Sequence, residues 1–292
     1  NPGGAPCNVL AMLEKLGKKT AFIGKVGNDM FGTQLKNAVE EVGIDTRNLV
    51  IDNEVHTTLA FVHTYPDGDR DFSFYRNPGA DMMLTKDEIQ EDLIRDSRIF
   101  HFGTLSSTHE GVREATRYAI DVAKEAGCII SFDPNLRPPL WKSLDDAKAE
   151  IEYGLGKCDI LKISDNEIQW FTGEQDFDRA VEILRGRYGN IKLLLLSLGK
   201  NGSRAYCGEN SAFAPAVPAN TIETTGAGDT FCGGILAKVL EYGLRNYSAE
   251  ELTGILNYAN SAAGIVTERR GALKVMPSPA EINERMERIT ND

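Results

Sequence analysis

The stretch Thr224-Thr225-Gly226-Ala227-Gly228-Asp229-Thr230-Phe231 carries the clearest chemistry in the chain. Small residues form a turn, and apolar residues at Phe231, Ile235 and Val239, flanked by Leu236 and Leu240, follow at helical spacing. The turn therefore opens onto a helix N-terminus. Glycine lets backbone approach a ligand closely, and the first amides of a helix, with its dipole, favour negative charge. Gly226, Ala227 and Gly228 thus read as an anion hole. Asp229, in the first helical turn, reads either as a plain N-terminal carboxylate or as a general base aimed at a bound hydroxyl. Two other glycine motifs are excluded. No GxxxxGK[ST] occurs, and Phe231 stands where a dinucleotide-binding turn needs a third small residue.

Other reactive side chains form no constellation. Cys7, Cys128, Cys158, Cys207 and Cys232 are dispersed, odd in number and without a CxxC pair, so they read as buried thiols of a reducing cytoplasm, with a catalytic thiol as the alternative. His56, His63, His101 and His109 lack metal-ligand spacing and read as structural or surface residues, and Trp141 and Trp170 as packing residues.

The elements that must position the turn alternate along the chain. Strand-like runs at 20–26, 98–102, 128–133, 160–163 and 193–198 are interleaved with amphipathic helical runs at 32–42, 111–126, 143–154 and 177–188. Strand, helix, strand at this spacing predicts an α/β fold, a parallel sheet covered by helices. Two β-rich runs, 57–64 and 71–75, flank the turn Pro66-Asp67-Gly68-Asp69 and predict a hairpin outside that rhythm. A second strand pair follows Gly199-Lys200-Asn201-Gly202, and the last third is helical. Of 292 residues 41% are hydrophobic and 26% charged, enough for one large core with a small appendage. With 32 basic against 43 acidic residues the net charge is −11, which argues against non-specific binding to nucleic acid or anionic membrane. No aliphatic run approaches the ~20 residues that span a bilayer.

These motifs, with Gly3-Gly4-Ala5-Pro6-Cys7-Asn8-Val9, Gly24-Lys25-Val26-Gly27-Asn28-Asp29, Phe132-Asp133-Pro134-Asn135-Leu136-Arg137 and Ser197-Leu198-Gly199-Lys200-Asn201-Gly202, lie in order from Gly3 to Gly271. In that order and spacing the chain resembles the PfkB (ribokinase-like) family of carbohydrate kinases, and within it the bacterial fructokinases. The resemblance implies a three-layer α/β/α core with a mostly parallel sheet, over 1–54 and 77–292, and a small β-lid over 55–76. It implies ATP as cosubstrate, Mg²⁺ as metal, and phosphoryl transfer to a primary hydroxyl, with D-fructose giving fructose 6-phosphate as the leading expectation. A 2-keto-3-deoxygluconate or ribokinase-type kinase is the alternative, and a non-catalytic sugar or nucleotide sensor the reading from another class.

Residue by residue, the resemblance makes Asp229 the base and the amides of Gly226, Ala227, Gly228 and Asp229 the phosphoryl cradle. Gly3, Gly4, Asn8, Arg137 and Arg76 are implied at the sugar, and Ser164, Ser197, Gly199, Gly202 and Asn260 at the nucleotide. Glu167 is implied at magnesium through water, which suits an ion that keeps its waters. Three departures stand out. Ser164 replaces an Asn, Glu223 stands where many relatives have Asp, which leaves activation by a monovalent cation open, and the family's first strand has no counterpart before Gly3. The expectation there is a sequence that represents the protein incompletely, since losing a near-central strand would expose sheet edges. A homodimer through the lid is also expected.

Overall fold

The computed structural model describes residues 2–64 and 70–291. The chain begins with α1 (Ala5–Lys15), β1 (Ala21–Gly27), α2 (Met30–Glu41), β2 (Asp45–Asp52) and the pair β3 (Leu59–Thr64) and β4 (Arg70–Tyr75). It continues through α3 (Glu91–Arg95), β5 (Ile99–Gly103), α4 (Glu110–Glu125), β6 (Ile129–Asp133), α5 (Leu144–Lys157), β7 (Ile160–Ser164), α6 (Asp165–Thr172) and α7 (Phe177–Arg187). The remainder is β8 (Leu193–Ser197), β9 (Ser203–Cys207), β10 (Asn210–Ala214), α8 (Ala227–Tyr242), α9 (Ala249–Thr267) and α10 (Pro279–Asn291).

Local chemistry sets several boundaries. Asp29 caps α2 by accepting from Gly32 N over 2.8 Å, Ser143 and Asp176 cap α5 and α7, and Ser248 with Glu251 closes a reciprocal capping box on α9. The aliphatic strands β7 and β8 are buried along their length, as strands covered on both faces must be. Helices on the two sides of the sheet make the predicted three-layer α/β/α arrangement. Among the described residues no helix is long and apolar enough to cross a membrane.

Six strands form one sheet in the order β10-β9-β8-β7-β6-β5, parallel from β5 to β8 and antiparallel at β9 and β10. Its register aligns Gly103 with Asp133 and Ser164 with Ser197, so the C-terminal ends of the parallel strands come out together. Ligands of open α/β sheets bind outside these ends. β3 and β4 pair as the predicted antiparallel hairpin, whose turn at Pro66-Asp67-Gly68-Asp69 lies outside the described residues.

β1 and β2 form a separate parallel pair. The free edges of β1 and β5 border a cavity of about 1120 Å³ lined by Phe22, Ile23, Ile99, Phe100 and His101. The C-terminal ends of the two strands are tied at one end of it. Gly27 N donates to Thr57 Oγ1 over 3.0 Å, Thr58 donates to Asp81, and Arg76 joins Asp81 to the Leu105 carbonyl beyond β5. Gly3, Gly4, Asp133 and Asn135 line the same cavity.

Candidate active site

The predicted turn is built as the sequence requires. Gly226 caps α8 at φ 80°, a left-handed conformation in which a Cβ carries a steric cost. The turn directs the first-turn amides outward, where a helix has no intrahelical acceptors for them. Ala227 N is partly engaged by the Thr224 carbonyl at 3.3 Å. Asp229 stands in that first turn, half-buried.

Asp229 meets Asn8 across the molecule: Asn8 Nδ2 donates to Asp229 Oδ2 over 2.7 Å. This contact depends on close packing of α1 against α8. A Cβ on Gly233 would lie 2.7 Å from Met12 Cβ and 3.0 Å from the Val9 carbonyl, so only glycine lets the helices approach this far. Asn8 is buried, and its Oδ1 has no hydrogen-bond partner among the described residues. An orphaned acceptor beside a carboxylate fits a ligand that brings hydroxyl groups.

Burial raises the Asp229 pKa above the ordinary carboxylate value, against the pull of the Asn8 hydrogen bond and the charges of Lys162 and Arg137. Arg137 lies in the turn after β6, one Nη1–H donating to the Leu136 carbonyl over 3.0 Å. Asn135 takes φ 44° in that turn, and its N–H donates to Asp133 Oδ1. Lys162 and Asp133 form a buried ion pair at 2.9 Å beneath the site. Burial raises the Asp133 pKa despite this partner, while burial opposes the Lys162 charge and the carboxylates of Asp133, Glu167 and Asp229 sustain it.

At the end of β7, Ser164 and Glu167 close a capping box: Ser164 N and Oγ donate to Glu167 Oε2 over 2.9 and 2.7 Å. Glu167 Oε1 accepts from Leu136 N over 2.7 Å, which ties this carboxylate to the loop carrying Arg137. Among the described residues no group of three or more His, Cys, Asp or Glu side chains could hold a metal. A single fixed carboxylate suits a cation that stays largely hydrated and binds with phosphate oxygens, as Mg²⁺ does.

The other predicted residues are distributed around this centre. Ser197 ends β8 with its Oγ 3.5 Å from the Ile163 carbonyl, and Gly199 and Gly202 bound the tight turn into β9 at φ 53° and 103°. Asn260 is buried, donating to the Ala214 and Pro215 carbonyls and accepting from Ser203 Oγ, so it braces the chain behind that turn. Arg76, at the foot of the hairpin, is almost wholly buried and spends its guanidinium on Asp81, Thr108 and the Leu105 carbonyl. The hydrogen bonds make it a strut between hairpin and core. Glu223 accepts from Gly271 N over 3.2 Å.

Burial pushes the Cys7 thiol up to about 12, with the nearby Asp229 charge adding to it, and burial raises Cys158 and Cys232 as well. These are inert packing thiols. His101 is pushed down to about 4 by burial and then by Lys162, and its Nδ1 lies 3.0 Å from Ser131 Oγ, so its ring is neutral. Sequence reasoning passed over Lys162. The signal was present, a lone cation in the aliphatic strand Ile160-Leu161-Lys162-Ile163.

The family model described as pfkB family carbohydrate kinase matches residues 1–279. The chain belongs to this family. Among relatives of this PfkB chain, probable fructokinase-2 of Arabidopsis thaliana is 39% identical over 280 residues, 96% of this chain and 85% of that protein. Fructokinase-2 of Solanum lycopersicum is likewise 39% identical over 280 residues, with the same shares. Among solved structures, a fructokinase with bound ATP from Xylella fastidiosa superposes with a TM-score of 0.90 at 29% identity, covering 99% of this chain and 91% of that one. A Vibrio cholerae O395 fructokinase holding fructose, ADP and calcium gives 0.87 at 27% identity, covering 97% and 91%.

Proposed function

We propose that this PfkB kinase is an ATP-dependent fructokinase, moving the γ-phosphoryl group of ATP to a primary hydroxyl of D-fructose to give fructose 6-phosphate. ATP is the donor and Mg²⁺ its metal. The carrying observation is the Asn8–Asp229 pair at the N-terminus of α8, a carboxylate held at one oxygen beside a buried, unused acceptor. The fructokinase relatives supply the substrate class.

Asp229 keeps Oδ2 on Asn8 Nδ2 and takes the proton of the attacking hydroxyl at Oδ1. Asn8 Oδ1 accepts from a second sugar hydroxyl and so fixes the ring's orientation. Gly3 brings backbone to the same acceptor, since a Cβ on it would lie 3.9 Å from Asn8 Oδ1, and Gly4 adjoins it. The amides of Gly226, Ala227, Gly228 and Asp229 hold the phosphoryl oxygens, and Arg137 adds a cation, because this transfer depends on positioning and charge. Glu167 is the carboxylate assigned to magnesium through water. Bound Mg²⁺ neutralises charge on the phosphate oxygens. Ser164, Ser197, Gly199 and Gly202 border the nucleotide side, with Asn260 acting from behind.

The hairpin over 55–76 serves as a lid on the core formed by 1–54 and 77–292, and Arg76 anchors its return to the core. The exposed rings of Phe61 and Tyr75, 5.2 Å apart on that hairpin, support a homodimer in which two lids meet, and a monomeric mass by light scattering would refute it. The five unpaired, buried cysteines support a cytoplasmic setting.

The test is ADP release from Mg-ATP with fructose, ribose, adenosine and 2-keto-3-deoxygluconate, with Asp229→Asn alongside. Fructose-dependent turnover that the substitution abolishes is the expected result. Preference for another acceptor would overturn the substrate, and ATP binding without turnover would point to a sensor.

A further inference from the structure

Lys162 is the only charged side chain on β7, and it is buried at the strand's midpoint. Its ammonium lies 2.9 Å from Asp133 Oδ2, and a Cβ built on Gly228 would sit 3.4 Å from Nζ. The cation thus sits next to the Gly228 position of the turn whose amides form the anion hole, where any side chain at 228 would meet it. A surface lysine would reach solvent, and a lysine serving only Asp133 has no need to lie beside α8.

We propose that Lys162 is a positioning residue for phosphoryl transfer: its buried ammonium, anchored by Asp133, supports the Gly228 turn from below and holds Asp229 in its ionised form. The proposal rests on the kinase reading above and assigns Lys162 its part in it. The groups facing Asp229 are Asn8 and the neutral thiol of Cys7 from α1, Lys162 from β7, Asp133 from β6 and Arg137 from the following loop. Cys232, one turn along α8, stays protonated, and His101, on β5, is uncharged. Lys162 and Arg137 are therefore the cations that set the charge of Asp229, and of these Lys162 is buried, beyond the reach of solvent screening.

Lys162→Met alone strands the Asp133 carboxylate in the core, so the decisive variant is Asp133→Asn/Lys162→Met, which removes both charges together. Two readouts are taken. In the ligand-free chain, carbon-13 NMR of labelled aspartate follows the Asp229 titration. With Mg-ATP and fructose, kcat and KM are measured across pH. Against Asp133→Asn alone, which already lacks the like charge of Asp133, the double variant should raise the Asp229 titration by about one pH unit, as loss of a nearby opposite charge does. Its kcat should fall about ten- to a hundredfold, with the acid limb of the rate profile displaced the same way and KM for fructose nearly unchanged. If Lys162 only neutralises Asp133, the double variant will titrate and turn over like Asp133→Asn, and the proposal falls. Absence of fructose turnover in the unaltered chain would overturn the functional reading alone, and the Asp229 titration would still decide the role of Lys162.

Discussion

Replacing Asp229 by Asn tests the base assignment and the electrostatics of the site together. The amide is isosteric, and its Oδ1 can accept from Asn8 Nδ2 as the carboxylate does over 2.7 Å, so the α1–α8 contact survives and only charge and basicity are lost. Loss of a general base lowers turnover about 10²- to 10⁴-fold, or about 3–5 kcal/mol in the barrier. KM for fructose should barely move, because Asn8 and the anion hole are intact. The effect on stability has the opposite sign. Burial raises the Asp229 pKa, so the folded chain holds that proton more tightly than the unfolded chain does. The group's contribution is most favourable in acid and declines as pH rises from the unfolded pKa through the folded one. Above both, the buried carboxylate opposes folding, and Asp229→Asn relieves it. The variant should therefore melt higher than the unaltered chain near neutral pH, with the gap closing as pH falls through the carboxylate range. ADP release at saturating fructose and calorimetry across a pH series give both numbers. Turnover within about tenfold of the unaltered chain, or a lower melting temperature at every pH, would refute the reasoning.

Asn8→Ala removes a hydrogen bond to a charged group, worth about 1.5–3 kcal/mol, and should move the acid limb of kcat/KM up by about one to two pH units while raising KM for fructose. An unmoved limb would separate Asn8 from the base. Gly233→Ala forces a methyl against Met12 and the Val9 carbonyl, so it should cost about 1–3 kcal/mol in denaturant unfolding and lower kcat by loosening Asn8 from Asp229. Undiminished stability would mean that α1 and α8 yield without strain. The free edges of β1 and β5 should exchange amide hydrogens quickly along the cavity side.

The fold was legible because its signal is periodic. Each aliphatic run that alternates with an amphipathic one, such as 193–198 after 177–188, becomes a strand or helix within a few residues of its predicted ends. β2 escaped notice because Asp45, Asn48 and Asp52 interrupt its apolar pattern, although parallel pairing with β1 makes it a strand. The centre of the site was legible for a local reason: a glycine turn, a helix and an acid in its first turn lie within eight residues. What joins them is not local. Asn8 reaches Asp229 across 221 positions, and the approach rests on Gly233, an unremarkable residue inside a helix until Met12 packs on it. Arg76 and Asn260 show the converse, since the resemblance implied ligand contacts for them while tertiary partners claim their hydrogen bonds.

Charge behaves in the same way. A net charge of −11 describes the surface facing other molecules, and the site depends on a different sum. The parallel sheet gathers Asp133, Glu167 and Asp229 around Lys162 because β6, β7 and the turn before α8 all deliver their residues to one edge. Three carboxylates gathered there, Asp133 buried and the other two half-buried, would repel an incoming phosphate chain as well as each other. Lys162 below the turn and Arg137 beside it reduce that repulsion, the helix amides oppose the remainder, and a hydrated divalent cation accompanying the nucleotide completes the compensation. The same lysine that makes the acids compatible with one another thus keeps one of them, Asp229, ionised and free to accept a proton.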